Sequence, residues 1–233
     1  MPHYIKYLPL TLAFFLSVLA AEKIYAQSVS PVFYVETEDG EEEQTSYAGS
    51  APLKVRFEAK TEDLDEYSVN YEWNFYSEGD TTAYMTRYGE TTEYTFNSAG
   101  QHKIILHARY NDGISDVDVN NEEDPLIITI SESQIDFPNA FSPNGDGIND
   151  TFKAKAGAKS IVELNAAIYN RWGQMVFKFR DINDEWDGTY KGHPVKDGVY
   201  FLNCDAKGAD GRHFRIRKDV NILRGYTESQ INN

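Results

Sequence analysis

The segment QHKIILHARY, Gln101 to Tyr110, decides the fold class because apolar and polar side chains alternate along it. One face carries His102, Ile104, Leu106, Ala108 and Tyr110, and the other carries Lys103, Ile105, His107 and Arg109. The segment YEWNF, Tyr71 to Phe75, has the same period of two. Such a period is typical of a β-strand with one buried face. Both segments are therefore predicted to be half-buried β-strands.

Five more short segments of the N-terminal half have a strand-like composition: Val32 to Thr37, Leu53 to Ala59, Tyr84 to Tyr88, Glu93 to Phe96 and Leu126 to Ile130. Seven short strands separated by turn signals predict a β-sandwich. The acidic run Glu41 to Glu43 is predicted to be a solvated loop.

The C-terminal half has a similar strand pattern without a long helical period. The predicted strands are Thr151 to Lys155, Val162 to Tyr169, Met175 to Arg180, Val199 to Asp205 and His213 to Leu223. We therefore predict an all-β protein with two consecutive immunoglobulin-like β-sandwich domains, residues 27–133 and 134–233. The two domains should have separate cores joined near Ser131 to Asp136.

Residues 1–26 are predicted to be a signal peptide. Lys6 precedes an uncharged apolar run, Leu8 to Ala21, and Ala26 supplies a small residue for cleavage. No second apolar run follows, so we expect no integral membrane segment. The only cysteine is Cys204, which excludes internal disulfides and is predicted to be an inert core thiol.

The charge differs sharply between the two halves. Residues 27–133 carry 6 Lys and Arg against 23 Asp and Glu, a net charge of −17, whereas residues 134–233 carry 14 against 13, a net charge of +1. So acidic a domain argues against nucleic acid and anionic membranes as partners. Solubility is the simplest explanation, and cation binding or a basic protein partner are the alternatives.

The loop FSPNGDGINDTF, Phe141 to Phe152, is rich in oxygen-bearing side chains. It resembles a calcium-binding loop, with Asn144, Asp146 and Asp150 as side-chain ligands and Ile148 giving its carbonyl. Lys153 stands where the bidentate acid would be needed, so calcium binding would be weak. The alternative is an Asx-rich turn that satisfies its own amides.

Two other features bear on function. Arg171, Trp172 and Gly173 form a predicted tight turn, which either presents the indole and guanidinium to a partner or buries Trp172 at the end of the sandwich. We favour burial, since large rings are more often buried. The scattered histidines do not have metal-ligand spacing, and the chain lacks a nucleophile elbow and a phosphate loop. We therefore predict that the protein is not an enzyme.

Five sequence blocks of the C-terminal half carry a family resemblance. They are Phe141 to Phe152, IYNRWGQMVF (Ile168 to Phe177), WDGTYKG (Trp186 to Gly192), VKDGVYF (Val195 to Phe201) and NILR (Asn221 to Arg224). In this order they resemble the type B C-terminal sorting domain of proteins exported by the type IX secretion system of Bacteroidetes. The resemblance implies export through the periplasm to the cell surface or medium. It also implies contact with the type IX translocon and an outer-membrane partner.

We assign a sorting or partner-binding role to seven positions within these blocks, namely Arg171, Trp172, Gly173, Trp186, Asp187, Gly188 and Arg224. The N-terminal half resembles a PKD-type immunoglobulin-like domain through Ala51 to Ala59, Tyr71 to Phe75 and Ala99 to Tyr110. Two functions remain open. The protein is either an accessory of the secretion system, including a reporter to an envelope signalling protein, or a small adhesin that binds glycan or protein.

Overall fold

The structure, a computed structural model, describes residues 28–37, 40–62, 68–111 and 116–225. The predicted signal peptide, residues 1–26, lies outside the described residues. Seventeen strands and no helix occur in the described ranges, so the chain is all-β as predicted. We call strands β1 to β10 the N-terminal unit and strands β11 to β17 the C-terminal unit.

The N-terminal unit is a sandwich of two sheets. Its strands are β1 (Ser28–Thr37), β2 (Gly40–Gln44), β3 (Ser46–Gly49), β4 (Leu53–Glu62), β5 (Ser68–Ser77), β6 (Met85–Tyr88), β7 (Thr91–Phe96), β8 (Gly100–Asn111), β9 (Asp116–Asn120) and β10 (Leu126–Ile130). One sheet has the order β2-β1-β4-β7 and the other β3-β10-β8-β5-β6, with β9 beside β8. All seven predicted strands are present, while β2, β3 and β9 were not predicted.

The alternation in β5 and β8 builds the core of this unit. Trp73 and Phe75 of β5 lie opposite Leu106 and Ile104 of β8, and all four side chains are buried. Phe57 of β4 contacts both rings from the facing sheet, at centroid distances of 5.6 Å to Trp73 and 5.3 Å to Phe75. Aromatic and aliphatic burial between two sheets is thus the main stabilising term.

The acidic run Glu41 to Glu43 is not a loop, and this prediction was wrong. It forms the exposed edge strand β2, paired with β1. Arg56 of β4 binds Glu41 at 2.6 Å, and Lys60 of β4 binds Glu43. These cations offset the repulsion between neighbouring carboxylates, and charge at a sheet edge discourages pairing with other chains.

The C-terminal unit has one larger sheet and one short hairpin. Its strands are β11 (Ala140–Phe141), β12 (Ile161–Tyr169), β13 (Met175–Phe179), β14 (Thr189–Tyr190), β15 (His193–Pro194), β16 (Gly198–Gly208) and β17 (His213–Ile222). The five-stranded sheet has the order β11-β17-β16-β12-β13. Residues Thr151 to Lys155 are not a strand, contrary to prediction, because only Phe152 bridges to Trp186.

A second core lies under the inner face of this sheet. Ile168, Leu202 and Cys204 face inward from the sheet and are buried. Segments without regular structure cover them with aromatic rings, as when Phe152 stacks on Phe137 at 5.8 Å. The two core clusters lie on either side of residue 133, although the boundaries at 27–133 and 134–233 stay a prediction.

Candidate functional site

The Asx-rich loop binds its own backbone. The Asp150 carboxylate accepts hydrogen bonds from the amides of Asn144, Gly145 and Gly147 at 3.0, 2.7 and 2.8 Å. Asp146 accepts from the Ile148 amide at 2.8 Å. These amides lower the pKa of the Asp150 carboxyl because they stabilise its charged form.

The same contacts occupy the predicted calcium ligands. The Ile148 carbonyl accepts a hydrogen bond from the Ser142 hydroxyl at 3.4 Å. The side-chain amide of Asn144 donates a hydrogen bond to the Asp146 carboxylate at 3.0 Å. No metal-binding group of three or more His, Cys, Asp or Glu occurs among the described residues. The loop thus has the geometry of an Asx-rich turn that satisfies its own amides, which was the alternative to a calcium site. Calcium binding stays a prediction, and these contacts do not support it.

The turn Asn170 to Gln174 presents Trp172 to solvent, so the favoured prediction of burial was wrong. The Trp172 side chain is 80% exposed, and the Arg171 guanidinium lies 5.5 Å from its ring centroid. Asn170 shapes the turn, since its carboxamide oxygen accepts from the amides of Trp172 and Gln174 at 3.0 Å each. Gly173 takes a positive φ of 77°, which glycine adopts without strain.

An apolar row continues from this turn across the outer face of the sheet. Met175 of β13, Tyr169 of β12 and Phe201 of β16 are paired across the three strands. Met175 and Phe201 are 45% and 43% exposed, and Val199 beside them is also exposed. We did not predict this row from the sequence. The sequence does carry a sign of it, because Val199 and Phe201 are apolar although they alternate along β16 with the buried Tyr200 and Leu202.

We call the turn Asn170 to Gln174 together with Met175, Val199 and Phe201 the distal tip. It lies at the end of β12 opposite Ser160, and nine strand residues span about 30 Å. A groove of about 390 Å³ adjoins it, lined in part by Trp172, Tyr190 and Val199. Lys178, Lys191 and Lys196 do not form ion pairs with other described residues. The tip therefore combines exposed apolar area with charges of both signs, since the exposed Asp219 of β17 is paired with Phe201.

The other predicted partner-binding residues have structural roles. Trp186 is 1% exposed and packs on Phe141 and Tyr200, so its ring is not accessible to a partner. Asp187 accepts from the Thr189 amide at 2.9 Å and caps the turn after Trp186.

Arg224 connects the segment after β17 to the residues around Gly188 and Val195. Its guanidinium donates to the Val195 and Gly188 carbonyls at 2.7 and 3.1 Å and also binds Asp197. A Cβ at Gly188 would lie 3.1 Å from both Arg224 and Pro143. Arg224 thus links the late sequence blocks around Gly188 and Asp197, whereas the side chains of Arg171 and Trp172 project into solvent.

The remaining titratable side chains do not form a catalytic cluster in the described ranges. Cys204 is buried as predicted, and burial raises the pKa of its thiol to about 11. His102 is buried between the Tyr84 hydroxyl at 3.0 Å and the Ser98 carbonyl at 2.9 Å, and burial lowers its pKa. Within those ranges, no helix is long and apolar enough to cross a membrane.

Comparisons with known proteins agree with this geometry. Residues 135–215 match the family model of the CHU_C type IX secretion signal domain, and residues 44–122 match that of the PKD domain. The chain contains a PKD domain and, after it, a type IX secretion signal domain. The predicted resemblances are confirmed, and we use the names PKD domain and sorting domain for the N-terminal and C-terminal units below. Both domains are of non-catalytic kinds.

The matches define a type IX secretion substrate with a surface module, destined for the cell surface or the extracellular space. A solved structure, "Crystal structure of BcpA*(D312A), the major pilin subunit of Bacillus cereus", is similar at 10% sequence identity and a TM-score of 0.29. That similarity covers 85% of this chain and 67% of that chain. No curated protein matches the sequence significantly.

Proposed function

We propose that this protein is a non-catalytic surface component that serves the type IX secretion system as an accessory or signalling protein. A signal peptide takes the chain into the periplasm, and the sorting domain then directs it through the translocon. The observation that carries the proposal is the distal tip. Its exposed Trp172 and Arg171 belong to a sequence block that the family resemblance includes, yet they do not support the domain's own core.

The chemistry of the tip indicates the kind of partner. Exposed aromatic and aliphatic side chains with an adjacent arginine are typical of protein interfaces. The Arg171 guanidinium beside the Trp172 ring favours a partner with a carboxylate next to an apolar contact. We therefore propose a protein of the cell envelope as the partner, with Trp172 as the central contact.

The adhesin alternative requires an exposed aromatic platform on the PKD domain. Tyr88 is 71% exposed but stands across from Glu72 at the edge strand β6. Tyr84 is partly exposed, and its ring packs against Phe75, Tyr94 and His102. The two rings do not contact each other among the described ring pairs, so the distal tip has the stronger claim to a binding role.

Photo-crosslinking in cells tests the proposal. A photoreactive amino acid placed at Trp172 should capture an envelope protein, whereas the same group at Tyr88 should capture none. The crosslink should weaken when Arg171→Ala is added, with the amount of exported protein measured in parallel. Capture from position 88 alone would favour the adhesin. Capture from neither position would contradict the proposed role of the tip.

A further inference from the structure

We propose that the end of the sorting domain opposite the distal tip is a docking surface for the PKD domain, and that the two domains unfold as one cooperative unit. We call this contact the junction. It joins Gly49 to Ala51, Ala99 and Ser131 to Ser133 with Ser160 and Gly208 to Asp210. The proposal is independent of the function proposed above, since it concerns how the sorting domain is held and not what it contacts.

Ser160 is the central residue of the junction. It is 1% exposed and has a φ of 52°, in the left-handed region that serine rarely adopts. Its hydroxyl accepts the Ala51 amide of the PKD domain at 3.2 Å and lies 2.8 Å from the Ser131 hydroxyl. Such a backbone persists only where surrounding contacts hold it. Here they come from both domains, since the hydroxyl contacts Ala51 and Ser131 while the Ser160 carbonyl accepts the Ala209 amide.

Ala209 carries a backbone connection between the domains. Its amide donates to the Ser160 carbonyl at 2.9 Å, and its carbonyl accepts the Ala99 amide of the PKD domain at 3.0 Å. The side chains of Ala209 and Val162 pack against the PKD core. Removing the PKD domain would therefore expose apolar area and leave backbone groups without partners.

Hydrogen bonds to the sorting domain fix Ser133 in the segment that connects the two domains. Ser133 is buried, and its amide and hydroxyl both donate to the Asp210 carboxylate, at 2.9 and 2.5 Å. Arg212 donates to the Ser133 carbonyl at 2.8 Å and to Asp210 at 2.7 Å. A Cβ at Gly208 would lie 2.0 Å from the Ser133 hydroxyl oxygen, so only glycine fits there.

These contacts differ from those of domains joined by an exposed linker. Independent domains are normally connected through flexible polar segments that few contacts cross. In this chain, hydrogen bonds from three separate segments cross the junction, and Ser133 of the connecting segment is buried. A sorting domain moved to another protein would leave this surface uncovered and would lose stability.

Native-state hydrogen exchange of the full chain in rising urea tests the proposal. In the wild-type protein the slowest amides of β5 and of β16 should report the same unfolding free energy. Ser160→Gly relieves the backbone strain but removes the hydroxyl, and Gly208→Ala displaces Ser133. Each should separate the two sets of amides by at least tenfold in exchange rate. Gly225→Ala is the matched control, because a Cβ there meets nothing within 4 Å.

The outcomes are distinct. Equal values in the wild type and the control, with separation in both variants, support the proposal. Different values in the wild type would overturn it, since the domains would then unfold independently. Equal values that neither variant separates would also overturn it, because the coupling would not pass through this junction. If Ser160→Gly slows exchange in both domains without separating them, relief of backbone strain at residue 160 explains the effect of the variant, and the proposal fails.

Discussion

At the residue scale, the three tryptophans show how position decides role. Trp73 and Trp186 are buried and each indole donates to a carbonyl, that of Gly89 at 2.9 Å and that of Thr189 at 2.8 Å. Trp172 has no such partner in the described part of the chain and lies in solvent. An exposed ring that contributes little to stability is available for binding.

We predict that Trp172→Ala changes the free energy of unfolding by less than about 1 kcal/mol, since only solvent-exposed contacts are lost. Trp186→Ala should lower it by about 3–5 kcal/mol, because it opens a cavity in the core. Denaturant titrations of both variants measure the difference. A large loss of stability in Trp172→Ala would mean that this ring has a structural role.

A second residue-scale prediction concerns Asp150. Asp150→Ala should lower the melting midpoint of the full chain, because three amides lose their acceptor. Millimolar calcium should leave the wild-type midpoint unchanged, since the carboxylate already binds those amides. Thermal melts with calcium and with chelator provide the test. A rise with calcium that Asp150→Ala abolishes would restore the ion-binding hypothesis.

At the element scale, the edge strands need protection from pairing with other chains. Strand β2 is an exposed edge whose three glutamates face solvent. Its charge serves a structural purpose in addition to solubility, because a neutral flat edge is a template for association. The acidic character of the PKD domain therefore has one local explanation that does not require a cation or a basic partner.

We predict that replacing Glu41, Glu42 and Glu43 together by valine preserves the fold but produces concentration-dependent oligomers. The matched control makes the same replacement at Glu122, Glu123 and Asp124, which lie in a segment without strand pairing. Size-exclusion chromatography at several concentrations distinguishes the two variants. Equal behaviour would show that net charge, rather than the strand edge, controls association.

At the scale of the whole molecule, acidic side chains fasten the segments that connect the domains. Asp210 binds Arg212 and Ser133, and Asp136 binds Lys155 at 2.7 Å and Lys218 at 2.5 Å. Hydrogen bonds from Arg212 and Ser133 lower the pKa of the Asp210 carboxyl below its ordinary value. Hydrogen bonds from Lys155 and Lys218 do the same to the pKa of Asp136.

These shifts predict acid sensitivity of the folded chain. A carboxyl whose folded pKa is lowered stabilises the protein fully above its unfolded pKa of about 3.9. That contribution is lost as pH falls below this value toward the folded pKa. Asp210→Asn should therefore be less stable than wild type at pH 7, and the gap should narrow between about pH 4 and pH 2. Urea titrations across this range measure it, with Asp219→Asn as the exposed control.

Much of the fold follows from local pattern alone. The alternation in Gln101 to Tyr110 and Tyr71 to Phe75 identified the two central strands, because a half-buried strand must repeat its apolar side chains every second residue. The sequence blocks from Phe141 to Arg224 identified the sorting domain. The burial of Cys204 followed from its place among alternating apolar residues.

Which of these residues are accessible depends on packing between segments that are distant in the chain. Periodicity and block order are local properties, so the sequence alone was enough to predict two all-β domains and their families. It did not determine that Trp172 is exposed while Trp186 is buried, because both tryptophans stand next to a glycine or aspartate turn signal in a short polar segment. Nor did it indicate that Ser160 and Asp210 would meet the segment Ser131 to Ser133. Those contacts join residues 29 and 77 positions apart, and the junction also joins Ala51 to Ser160 over 109 positions, so folding is needed to bring them together.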